Sequence, residues 1–96
     1  MKKFVFVYYG QDELIKERMD AWMSWFAEIG DSIVDSGNPF GPGREVTPTE
    51  TRDLPTGTEA ATGYTIVNAD SMADAEKLLA NCPIITSVRI YEAMSM

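Results

Sequence analysis

Lys3-Phe4-Val5-Phe6-Val7-Tyr8-Tyr9 is an unbroken run of aromatic and β-branched residues after its first lysine, and Gly10 closes it. Side chains alternate across a strand, so Phe4, Phe6 and Tyr8 point to one face and Val5, Val7 and Tyr9 to the other. A strand that is apolar on both faces needs cover on both sides. The rest of the chain has to supply that cover.

A helix is the first candidate. Asp12 suits the N-cap and Glu13 the positive end of the helix dipole. Ile15, Met19, Trp22, Phe26, Ile29 and Ile33 then recur at alternating steps of four and three, flanked by Leu14, Met23 and Trp25. This amphipathic stripe predicts a helix that kinks at Gly30 and closes at Gly37. Asn38 to Gly43 (NPFGPG) is a loop. Glu45 to Asp53 (EVTPTETRD) is extended in spacing, and Pro48 limits it to an edge strand or one half of a hairpin. Residues 54–58 turn the chain back, and Thr62 to Ala69 (TGYTIVNA) is a further strand.

Ser71 caps a second helix, with Asp74 in the capping-box position. Met72, Ala75, Leu78, Leu79 and Cys82 form its apolar face, and Pro83 stops it. Thr86 to Met94 (TSVRIYEAM) is the last strand, with Val88, Ile90 and Glu92 alternating against Arg89, Tyr91 and Ala93. The order is βαββαβ, an α+β ferredoxin-like pattern: a four-stranded antiparallel sheet with two helices on one face. Val5, Val7, Tyr9 and one of Ile66 and Val67 are then left on the open face. Burying such a side chain is worth ~1.5–3 kcal/mol. A second copy of the same sheet, related by a two-fold axis, is the expected cover, making the chain a homodimer.

Ninety-six residues make one domain, 1–96. The apolar fraction of 45% is enough for a packed core. A single cysteine rules out an internal disulfide framework and suits a reducing, cytoplasmic setting. The first apolar run is too short for a secretion signal, and no stretch reaches the ~18 apolar residues of a membrane span. A net charge of −7, with eight basic residues spread along the chain, argues against nucleic acid and anionic membranes as partners.

Several stretches together resemble the YCII-related family. They are Val7-Tyr8-Tyr9-Gly10, Ala21-Trp22-Met23-Ser24-Trp25-Phe26, Gly37-Asn38-Pro39-Phe40-Gly41-Pro42 and Gly63-Tyr64-Thr65-Ile66-Val67-Asn68-Ala69-Asp70-Ser71. Asn81-Cys82-Pro83 and Val88-Arg89-Ile90-Tyr91-Glu92-Ala93-Met94 complete the succession. The resemblance implies a ferredoxin-like fold that pairs into a dimeric α/β barrel, with a cleft between sheet and helices as the site. It also implies a His-Asp pair for chemistry, and this chain has no histidine. Ile84 stands just after Cys82-Pro83, where relatives carry histidine. Pro55-Thr56-Gly57-Thr58-Glu59 replaces an Asp-Gly-Pro-Phe stretch of the family.

Without histidine, acid-base work would fall to a carboxylate, tyrosine or lysine of shifted pKa. No catalytic residue is assigned. Asp35 is a candidate base near the expected cleft, and the candidate ligand-binding residues are Asn38, Arg44, Tyr64, Arg89 and Tyr91. Arg89 is the natural partner for a carboxylate, either on a small anionic organic ligand or on Glu45 or Glu50 of a second copy. Asn38 to Gly43 lacks the following Lys-Ser/Thr of a phosphate loop. Asp31 with Asp35, and Asp70 with Asp74, are too few for a metal site, and no cofactor is implied. Cys82 reads as a buried small hydrophobe. Two functions remain: a homodimer that holds a small organic molecule in its cleft, or a non-catalytic dimerisation or accessory module whose active site has decayed.

Overall fold

The computed structural model describes residues 1–10, 16–57 and 59–95. The expected cap at Asp12 and Glu13, and Leu14 and Ile15 of the stripe, lie outside the described residues. The elements are β1 (Lys2–Tyr9), α1 (Lys16–Glu28), a 3₁₀ turn (Gly30–Ser32), β2 (Ile33–Asp35), β3 (Arg44–Val46), β4 (Thr51–Asp53), β5 (Ala61–Ala69), α2 (Met72–Lys77) and β6 (Ser87–Ala93). The main sheet has the order β2-β5-β1-β6, and each neighbouring pair is antiparallel. That order and the two helices are the ferredoxin-like arrangement.

The second strand of the sheet is not the one the sequence suggested. Ile33–Asp35 leaves the helical stripe after the 3₁₀ turn and pairs with β5 through Ile33–Val67 and Asp35–Ile66. The 45–53 segment forms both arms of a separate hairpin, with Arg44 opposite Asp53 and Val46 opposite Thr51. Pro48 sits in its turn, where the missing N–H costs nothing. Thr47 closes that turn: its N–H donates to the Glu50 carbonyl at 2.8 Å and its Oγ1 accepts from the Glu50 N–H at 3.0 Å. Ion pairs Arg44–Asp53 (3.0 Å) and Arg52–Glu45 (2.7 Å) brace the arms.

β1 meets both demands of its sequence. Phe4, Phe6 and Tyr8 are buried beneath the helices with Val67, Ala69, Trp25, Ile29 and Ala75. Val5, Val7 and Tyr9 lie half-buried on the opposite face. The register places Val5 between Ile66 and Tyr91, and Val7 between Tyr64 and Arg89. α1 is rotated from the expected stripe. Trp25, expected on its flank, is 1% exposed, while Met19, expected at its centre, is 51% exposed. The Trp25 Nε1–H donates to the Leu78 carbonyl at 2.8 Å, so the indole spans from α1 to the end of α2. Ser71 caps α2 as expected, its Oγ accepting from the Asp74 N–H at 3.1 Å. The helix ends at Lys77, and tighter i→i+3 turns carry the chain to Cys82.

The molecule measures 41 × 40 × 18 Å. Its 18 Å thickness is one sheet plus one helical layer, with the second sheet face uncovered. No helix among the described residues is long and apolar enough to cross a membrane.

Candidate functional site

Past residue 35 the chain cannot continue as a strand. Gly37 takes φ +78°, and a Cβ built there would overlap the carbonyl oxygen of Tyr64. The Asp35 carboxylate accepts from the Gly37 N–H at 2.8 Å, an Asx-type turn. Pro39 then bridges to Gly63, and the Phe40 N–H donates to the Thr62 carbonyl at 2.8 Å. The 36–40 loop is thereby held along the first residues of β5. The Phe40 ring stacks on Tyr64 at 5.7 Å, and the Tyr64 hydroxyl reaches Asp35 Oδ2 at 3.5 Å.

Between this loop and α1 lies a cleft of about 680 Å³, within the ~300–1,000 Å³ of small-molecule sites. Trp22 and Phe26 come from α1, Tyr8 and Gly10 from the end of β1, Thr62 to Tyr64 from β5, Ser36 to Phe40 from the loop, and Ile85 from the approach to β6. Tyr8 and Trp22 meet edge to face at 5.0 Å and 77°, so their rings face in different directions. The Tyr8 hydroxyl donates to Thr65 Oγ1 at 2.6 Å, and Thr65 donates to the Ser36 carbonyl at 3.0 Å. Burial holds the Tyr8 phenol well above its usual pKa range, so it stays a neutral donor.

Of the residues singled out from the sequence, Asn38 and Tyr64 line this cleft together. Arg44 is on the hairpin, ion-paired with Asp53. Arg89 and Tyr91 lie on the open sheet face, with the Arg89 guanidinium 4.5 Å over the Tyr9 ring and Tyr91 55% exposed. Glu45, considered as a partner for Arg89, is held within its own chain by Arg52. Trp22 and Phe26 are cleft residues that the sequence presents as core, whereas Tyr8, a strand tyrosine with a hydroxyl to offer a pocket, and Phe40, within the 38–44 loop, are readable from it. Helical spacing explains Trp22 and Phe26 as core, and no signal in the sequence marks them otherwise. Cys82 is partly buried, and burial pushes its thiol up to about 12, far from the range of a reactive thiolate.

A second hollow of about 690 Å³ lies on the other side of Phe40, between Tyr9, Leu54, Pro55 and the 41–43 stretch. Phe40 therefore separates two cavities.

No protein-family model and no curated protein matches the chain. Among solved structures, the fold is similar to that of 5-chloro-2-hydroxyhydroquinone dehydrochlorinase from Burkholderia phenoliruptrix AC1100, in complex with 2,5-dihydroxybenzoquinone. The TM-score is 0.56 at 12% identity, over 96% of this chain and 93% of that one. The likeness establishes a shared fold.

Proposed function

We propose that the chain is a single-domain, cytoplasmic, YCII-related protein that works as a homodimer and holds a small organic molecule between α1 and the 36–40 loop. One observation carries the ligand part: the aromatic-lined cleft of about 680 Å³. Such a concave, largely apolar space with a few polar groups at its rim is the usual form of a small-molecule site. Asn38 and Tyr64 are its rim residues in this reading, and Trp22 and Phe26 its wall. Arg89 and Tyr91 belong to the sheet face that a second copy would cover, and Arg44 to the hairpin beside it. Binding is the function this supports, since the chain has no histidine and its one thiol is held protonated.

The similar fold of a dehydrochlorinase that binds a dihydroxybenzoquinone supports beginning the search with flat ring compounds. Thermal-shift screening of small ring compounds, small acids and small organic ammonium salts is the test, because a ligand specific to the native state raises the midpoint. Hits should lose their effect in Trp22→Leu. A flat response across the library overturns the ligand reading. It would favour a dimerisation module without a ligand, for which the uncovered row of Val5, Ile66 and Tyr91 is the supporting observation.

A further inference from the structure

We infer that the cleft takes an organic ammonium cation. The inference rests on the cleft being a ligand site and concerns the charge of what enters it. Tyr8, Trp22, Phe26, Phe40 and Tyr64 all line the space, and the negative face of an aromatic ring attracts a cation. The edge-to-face contact of Tyr8 with Trp22 and the tilted contact of Trp22 with Phe26 at 34° turn these rings through different planes. Rings in different planes can surround a compact cation, whereas a flat slot would suit a single planar guest.

Charge placement points the same way. All eight basic residues fall within the described chain, and none lines the cleft. Lys2, Lys16, Arg44, Arg52 and Lys77 are ion-paired with Glu92, Asp20, Asp53, Glu45 and Asp74. Arg89 lies over Tyr9 on the far face. An anion entering the cleft would find no cationic partner there. Asp35 lies outside the lining, on β2 before the loop, where its carboxylate is held by the Gly37 N–H and the Tyr64 hydroxyl and adds to the negative field that a cation approaching the cleft meets. The net charge of −7 raises the local concentration of cations over the whole surface.

Three probes of nearly one shape separate charge from apolar contact: choline, its neutral carbon analogue 3,3-dimethylbutan-1-ol, and the anion 3,3-dimethylbutanoate. Titrations followed by Trp fluorescence and calorimetry should show choline binding roughly tenfold tighter than the alcohol, with the anion weakest. Asp35→Asn should weaken choline and leave the alcohol unchanged. Trp22→Leu, if it folds, should remove most of the preference. Equal or tighter binding of the alcohol or the anion overturns the cation assignment while the cleft remains a ligand site. If none of the three binds, the cation assignment falls. The cleft reading falls with it only if the ring-compound screen is flat as well.

Discussion

Tyr8 and Thr65 share a 2.6 Å hydrogen bond buried between the sheet and α1, and Thr65 passes it on to the Ser36 carbonyl at 3.0 Å. Two strands and the start of the cleft loop are thereby joined through one hydroxyl. Among the described residues no buried side-chain polar atom lacks a partner, so each member of this chain is accounted for. Tyr8→Phe removes one donor but leaves Thr65 free to bond Ser36, at a cost of about 1 kcal/mol. Thr65→Val strips both Tyr8 and Ser36 of their partner and costs more, ~1–3 kcal/mol. For a domain of this size each kcal/mol lowers the melting midpoint by roughly 4–8 °C. Scanning calorimetry should rank Thr65→Val below Tyr8→Phe, and the reverse order would refute the relay.

Gly37 and Gly41 form an internal control four residues apart. Gly37 combines φ +78° with no room beside the Tyr64 carbonyl. Gly41 has nothing within 4 Å of a built Cβ and no positive φ. Gly37→Ala should therefore cost on the order of 2 kcal/mol or more, from backbone strain and displacement of the loop. Gly41→Ala should stay within about 0.5 kcal/mol of the parent. Urea midpoints decide the matter, and matching values for the two variants would show that the loop does not hold this conformation in solution.

How much of this was legible in the sequence varies by element. β1 was plain because both alternate sets, Phe4-Phe6-Tyr8 and Val5-Val7-Tyr9, are apolar over six residues. Ser71 with Asp74 marked α2 because a cap is a local interaction. β2 was hidden: Ile33 lies four residues after Ile29 and continues the helical step, and only the pairing with Val67 in β5 draws it into the sheet. α1 was legible as a helix but not in its rotation, since Met19, Trp22, Met23, Trp25 and Phe26 offer apolar groups around most of its circumference. The cleft was half legible. Asn38 stood out on its loop and Tyr64 in its strand, whereas Trp22 and Phe26 form the edge of the core and look like core in any one-dimensional pattern.

Cys82 makes the protein's stability fall in alkali. Burial raises its thiol pKa to about 12 in the folded state, against ~8.5 for a free cysteine. Its contribution is complete below the unfolded value and is lost as pH climbs toward the folded one. Tyr8, also raised by burial, acts in the same direction at still higher pH. Between about pH 7 and pH 10.5 the native protein should lose more stability than Cys82→Ala does over the same interval. At about pH 8 a thiol reagent should label the native protein much more slowly than the unfolded chain, because burial leaves little of the thiol ionised. Prompt labelling would mean that the thiol is not sheltered as found here.

The row Ile66–Val5–Tyr91 on the open sheet face tests the proposed dimer. Tyr91 is 55% exposed in the single chain, so Tyr91→Glu costs little within one copy. Placed against a second sheet by two-fold symmetry, however, it sets two carboxylates near each other in a desolvated layer. Sedimentation equilibrium at micromolar concentration should give twice the chain mass of 10.7 kDa for the native protein and the single mass for the variant. Far-UV circular dichroism should be the same for both. Arg89→Met removes the cation over Tyr9 and should weaken the dimer while leaving cleft ligands bound, because the guanidinium is not part of the cleft lining. Loss of ligand with the dimer intact would return Arg89 to the binding site. A native protein that sediments at the single mass would leave the sheet face to some other partner.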